Sequence, residues 1–172
     1  MRVAAQVADG IAAGGTVSAE YLREEIKPQV AEHAVTVGRD PTEIGWNVVA
    51  LTAIDPDRER AHRIVREGIC GLYAPLAPPD YEFTMREQGF GKTVDKLLKL
   101  MPEGKLEESV DSISDDCVDR LAIAGTLEDC RERIAAYEGV VDELLLLNLT
   151  RPIDGNINNA YSPLMELARR RM

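Results

Sequence analysis

Residues 44–54, IGWNVVALTAI, limit the fold more than any other part of this sequence. Apolar side chains fall on both alternating faces of the run. An antiparallel strand commonly leaves one face to water, whereas a strand apolar on both faces belongs to a parallel sheet covered by helices. The flanking residues agree. Ahead of the run, Ser18 is placed to cap a helix with Glu20 in its first turn, and Leu22, Ile26, Val30, Ala34 and Val37 recur at helical spacing. Pro28 is expected to kink that helix and Gly38 to end it. Behind the run, Asp55-Pro56 is expected to open another helix. Ala61, Ile64, Val65, Ile69 and Leu72 form its inner stripe, and Arg58, Arg60, Arg63 and Arg66 face outward.

Two more strands bracket these units. Residues 7–13 read as a short strand ending at Gly14-Gly15, and residues 140–147 as a buried one. Ser114 caps a short helix to about Leu121, and Thr126, with Glu128 and Asp129 following, resembles a capping box. Residues 74–113 form an insertion that opens with APLAPP and holds a helix near 93–100. Residues 163–171 form a terminal helix. Strand and helix alternate with short turns, which predicts parallel βα units. The expectation is one domain over residues 1–172, with three parallel strands and their helices on one side.

Composition narrows the function. The net charge of −10 makes nucleic acid a poor partner, because phosphate binding needs a positive surface. No apolar run approaches the ~18 residues of a membrane span and no signal peptide opens the chain, so a cytoplasmic protein is expected. Lysine occurs only at positions 27, 92, 96, 99 and 105. An acid-rich, lysine-poor surface suits a salty medium, where screening removes self-repulsion, and high-GC coding produces the same bias. Cys70, Cys117 and Cys130 show no metal-type spacing and read as buried reduced thiols. His33 and His62 read as solvated, Asp9 as a turn residue, and the acids at 115, 116 and 119 as partners of a helix N-terminus. No Ser-His-Asp set, phosphate loop or zinc spacing is present, so no catalytic residue and no metal ligand is assigned.

Four segments carry a family resemblance through their order and spacing. They are Ala8-Asp9-Gly10, Gly38-Arg39-Asp40-Pro41, LAIAGT at 121–126 and VDELLLL at 141–147. Together they resemble the C-terminal half of the luciferase-like oxidoreductases that use flavin or deazaflavin, nearest to the methylene-tetrahydromethanopterin reductase branch. The resemblance implies an α/β fold, part of a (β/α)8 TIM barrel with its last three strands in a parallel sheet. It implies hydride transfer, or in the flavin branch monooxygenation, with coenzyme F420 or FMN. The partners it implies are a small-molecule cofactor and substrate, together with a homo-oligomer or a complementary half-barrel chain. Barrel chemistry sits at the C-terminal ends of the strands, which makes Thr52, Asn148 and Arg151 the candidate cofactor-binding residues. A complete barrel takes about 250 residues, and the family's earlier strands, with most of the ring-binding wall, have no counterpart here. The alternative is a truncated, non-catalytic paralogue that folds only by association with another chain. Either way, open strand edges and an uncovered apolar face predict a chain that is not a well-behaved monomer and does not grip a flavin alone.

Overall fold

The computed structural model describes residues 1–72, 79–151 and 156–169. Helix α1 (Arg2–Val7) leads into strand β1 (Gly10–Ala13). A helical stretch follows as α2 (Ala19–Tyr21), a π turn (Leu22–Ile26) and α3 (Lys27–Val35), and then β2 (Gly45–Ile54). Next come α4 (Arg58–Leu72), α5 (Pro79–Met85), a second π-type stretch (Arg86–Phe90), α6 (Gly91–Leu100), α7 (Leu106–Asp111) and α8 (Asp115–Leu121). The chain closes with β3 (Ala122–Gly125), α9 (Leu127–Ala135), β4 (Glu143–Asn148) and α10 (Ile157–Ala168).

Among the described residues all strand pairs are parallel, and every one includes β2. Val48 pairs with Ala13 of β1 and with Leu144 of β4, while Thr52 pairs with Ile123 of β3 and with Asn148 of β4. One residue can pair with two strands only across opposite edges. β4 therefore runs along one edge of β2, and β1 and β3 lie end to end along the other. The step between them is filled by the turn after β1, where a Cβ on Gly15 would lie 3.0 Å from the Leu51 side chain.

This staggering places helices on both faces of the sheet, not on one. From β1 to β2 the chain steps one way, from β2 to β3 it steps back, and from β3 to β4 it steps forward again. Right-handed crossovers then require α4 to α8 on the face opposite α2, α3 and α9. The core divides accordingly. Leu51, Ala53, Ala122 and Ala124 pack with Val65, Ile69, Val94, Leu97 and Val118. Trp46, Val48, Ala50, Ile54 and Ile123 pack on the other face with Leu22, Val30, Cys130 and Tyr137. Coverage of the first face stops partway. Toward β4 it ends, and Leu145 and Leu147 stand 48% and 47% exposed.

Several boundaries differ from the sequence reading. Val7 ends a helix and the first strand starts only at Gly10. β3 is a fourth strand whose four residues, Ala-Ile-Ala-Gly, carry too little pattern to be read alone. β4 covers 143–148 instead of 140–147, because the Val140 and Val141 amides donate to Tyr137 O in the turn that holds Gly139 at φ +70°. Pro28 does not break its helix. The π turn just before it leaves the proline in the first turn of α3, where a missing N–H costs little. Helix α4 starts at Arg58, since Asp57, not Asp55, accepts from the amides of Glu59 and Arg60. The last helix starts at Ile157 with Asn156 accepting from Asn158 N, and Pro163 lies inside it. Most of the APLAPP segment lies outside the described residues. Ser114, Thr126 and Gly38 act as read: both hydroxyls accept third-residue amides, and Gly38 sits at φ +74°.

Local contacts tie the N-terminal end of the sheet to its flanking turns. Asp142 Oδ2 accepts from Trp46 N at 2.7 Å, and the Lys27 ammonium lies 5.4 Å from the Trp46 ring while donating to Val140 O at 2.7 Å. The family-type positions lie at the opposite end.

Candidate functional site

The C-terminal rim of the sheet gathers four chain segments: the turn at 14–18, the end of β2 at Asp55, the β3–α9 junction and the turn after β4. Parallel βα folds place ligands at this rim because strand ends and helix N-termini converge there. Each segment is held by its own bonds.

Thr52 and Asn148 are register partners on adjacent strands and so share a face. Thr52 is fully buried, and its Oγ1 donates to Ala50 O at 3.0 Å. Asn148 Nδ2 donates to Ala160 O at 2.8 Å, and its Oδ1 accepts from Thr150 N at 3.0 Å. Asn148 thereby fixes both the turn after β4 and the position of α10. Arg151 is exposed at the end of that turn. The structure thus brings Thr52 and Asn148 together as supports and leaves Arg151 as the outward cation. For a bound coenzyme the fit is partial. Arg151 suits an acidic or phosphate tail, whereas the polar atoms of Thr52 and Asn148 are engaged within the fold and leave no donor aimed at a ring.

The turn after β1 is anchored by a residue that sequence reading missed. Gln88 is buried; its Nε2 donates to Thr16 O at 2.7 Å and Thr84 O at 2.8 Å, and its Oε1 accepts from Ser18 N at 3.0 Å. Thr16 and Thr84 hydroxyls meet at 2.7 Å. Beside this junction, along the outer edge of β1, runs an apolar cavity of about 620 Å³ bordered by Ile11, Ala13, Tyr21, Tyr81 and Phe83. Only the glutamine's place before Gly89, whose φ is +91°, hinted that the segment turns back.

His62 is a second correction. It is 2% exposed instead of solvated, and its Nδ1 lies 3.0 Å from Asp115 Oδ1 and its Nε2 3.6 Å from Asp119 Oδ1. Arg66 pairs with the same Asp115 and is mostly covered, not outward-facing. Arg58 bridges Asp119 at 3.1 Å and Asp129 at 3.3 Å, and Arg133 reaches Asp119 at 2.8 Å. The His62 ring holds the Asp115 carboxyl below the usual range, and the Thr126 amide does so for Asp129. The signal was present as spacing: Arg58, His62 and Arg66 recur every fourth residue on α4, facing Asp115 and Asp119 on α8. This network ties α4, α8 and α9 together behind the rim. Among the described residues no group of three or more His, Cys, Asp or Glu side chains is arranged for a metal. All three cysteines are buried, with their thiols pushed up to about 11 at Cys70 and about 12 at Cys117 and Cys130.

Comparison with known proteins fits this geometry. A family model described as luciferase-like monooxygenase matches residues 1–143. The chain belongs to that family. No curated protein sequence matches it. Among solved structures, this luciferase-like chain is similar to the coenzyme F420-dependent tetrahydromethanopterin reductase of Methanopyrus kandleri. The TM-score is 0.69 at 16% identity, covering 95% of this chain and 45% of that one. It is also similar to an F420-dependent secondary alcohol dehydrogenase solved with an F420-acetone adduct, with TM-score 0.62, 15% identity and coverage of 98% and 46%. A third is a riboflavin lyase with modified FMN and riboflavin, at TM-score 0.50, 18% identity and coverage of 96% and 40%. The chain spans less than half the length of these structures. At these identities the likeness establishes fold: an α/β parallel sheet that is part of the family's (β/α)8 barrel. Among the described residues, no helix is long and apolar enough to cross a membrane.

Proposed function

We propose that this chain is the C-terminal portion of a luciferase-like oxidoreductase and supplies one wall of a site for coenzyme F420 or FMN. The observation that carries the reading is the family match across residues 1–143, with every strand of the sheet ending at one rim. F420 is the favoured coenzyme, because two of the similar structures are F420-dependent enzymes. When bound, the coenzyme supplies hydride chemistry, and the protein's part is orientation and exclusion of solvent. In this arrangement Arg151 meets the acidic or phosphate tail. Asn148 holds the turn that carries Arg151, and Thr52 packs beneath it. No residue of this chain is assigned to the proton or hydride step. The protein belongs with the soluble cytoplasmic enzymes of this class.

A second reading has one observation in its favour. Thr52 and Asn148 both spend their polar atoms inside the fold, which suits a non-catalytic paralogue that contributes structure alone. Fluorescence titration of the purified chain with F420 and with FMN separates the two. The oxidoreductase reading expects binding weaker than micromolar that Arg151→Ala weakens about tenfold, or ~1.4 kcal/mol, with folding unchanged. No binding at millimolar coenzyme, or binding indifferent to Arg151→Ala, favours the non-catalytic reading.

A further inference from the structure

Every arginine on α4, α8 and α9 holds a carboxylate. Arg23 does not. Among the described residues its exposed side chain makes no ion pair and no hydrogen bond. It lies in the π turn Leu22–Ile26, a feature that recurs at functional sites. Four residues on stands Lys27, the sole lysine of the sequence outside residues 92–105. Residues four apart share a helix face, and like charges so placed repel. An anion held between them removes that cost.

Both cations border a cavity of about 510 Å³ at the N-terminal end of the sheet, between α3, the turn at Pro41–Glu43 and the turn before β4. Small-molecule clefts commonly enclose ~300–1,000 Å³. Val30, Ile44 and Trp46 form an apolar wall, and each is at most 5% exposed, so packing fixes its shape. Lys27 is fixed as well. Its ammonium donates to Val140 O at 2.7 Å and lies 5.4 Å from the Trp46 ring. An ammonium has three N–H donors, so two remain after the bond to Val140. Among the described residues the one acid bordering the cavity is Asp142, and its Oδ2 already accepts from Trp46 N at 2.7 Å.

We propose that this cavity is a binding site for a small apolar carboxylate. Its acid group is shared by Arg23 and Lys27, and its hydrocarbon body lies against Val30, Ile44 and Trp46. The charge of the lining sets the class. Two cations and one carboxylate leave a single positive charge, which a monoanion neutralises. A phosphate dianion exceeds it and meets Asp142. The guanidinium of Arg23, free of other partners, presents the planar fork that a carboxylate matches. The site stands at the end of β2 opposite Thr52, so it does not depend on the coenzyme reading.

Trp46 is the single tryptophan of the sequence, and its emission reports on this cavity directly. The test titrates the full chain with phenylacetate while tryptophan fluorescence is followed. Expected is a saturable change with a dissociation constant below about 1 mM. Phenylacetamide, which keeps the shape and lacks the charge, binds at least tenfold more weakly, as does inorganic phosphate. Arg23→Gln weakens phenylacetate at least tenfold and leaves the melting temperature unchanged, because the side chain holds nothing in the fold. Ala31→Leu, which narrows the same cavity, weakens it to a similar degree. Three results overturn the proposal: a response that is absent or weaker than that limit, equal binding of phenylacetamide or phosphate, and binding indifferent to either variant. Coenzyme titration reads the opposite rim, so its failure leaves this outcome untouched.

Discussion

Gln88 Nε2 donates to the carbonyl of Thr16 at 2.7 Å, joining the insertion to the turn after β1 across 72 residues of sequence. The same side chain accepts from Ser18 N, so one amide satisfies both sides of a buried junction. Gln88→Leu keeps the volume and removes all of these bonds. It should cost about 1–3 kcal/mol, the penalty of leaving buried backbone groups unpaired, and should speed hydrogen exchange at Ser18. A urea midpoint within error of the parent chain would show that water replaces the glutamine without loss.

Asn148 and Arg151 should separate cleanly. Asn148→Ala removes one bond to Ala160 O and one from Thr150 N. It is expected to cost about 1–3 kcal/mol and to accelerate exchange in α10 more than in α3. Arg151→Ala, at an exposed position, should stay within about 0.5 kcal/mol of the parent. Equal effects of the two on urea midpoints would mean that the turn is not organised as described.

Gly125 has φ +130°, and a Cβ there would lie 2.6 Å from Asp129 Oδ2. Gly125→Ala therefore strains the backbone and pushes on the capping carboxylate together, at about 1–3 kcal/mol. Asp129→Ala alone removes the capping box with Thr126 and should cost ~0.5–2 kcal/mol. Combined, the two should cost less than their sum, because the collision vanishes with the carboxylate. Strict additivity in thermal melts would rule the collision out.

Burial sets the alkaline limit of stability. Cys70 is pushed from 9.0 to about 11, Cys117 and Cys130 to about 12, and the Tyr137 hydroxyl from 10.0 to about 12. Once pH exceeds the ordinary thiol value, the unfolded chain releases protons that the folded chain keeps. The stability from these groups is complete below about pH 9 and is lost as pH rises through about 11 to 12. Urea midpoints should be level from pH 7 to 8.5 and fall by pH 10. At pH 8 a thiol reagent should modify no cysteine of the native protein and all three after denaturation; fast native labelling would contradict the buried placement.

What could be read from sequence was whatever depends on short-range order. Ser18, Ser114 and Thr126 announced helix starts because a capping hydroxyl and its amide are three residues apart. β2 announced itself through a ten-residue run with apolar side chains on both faces. The family motifs placed the remaining elements in order. β3 escaped because four residues, three of them Ala or Gly, have no period, and with it went the reversal that sends α4 to α8 to the opposite face. Gln88 and His62 escaped for a related reason: each looks like a solvated helical residue until a segment 53 or more positions away supplies its partner. Thr52 and Asn148 were picked for lying at strand ends. Sequence does not reveal that they are register partners whose polar atoms are already engaged.

Among the described residues β2 is the only strand that any other strand touches, and this has a consequence for how the chain leaves the ribosome. β1 precedes β2 and can pair with it as soon as residues 45–48 are out. The far edge of β2 then has no partner until residues 143–148 are made. At ~5–20 residues per second this interval is on the order of ten seconds. During it the nascent chain carries an apolar strand, residues 44–54, with one edge unpaired, the kind of edge on which other chains can template.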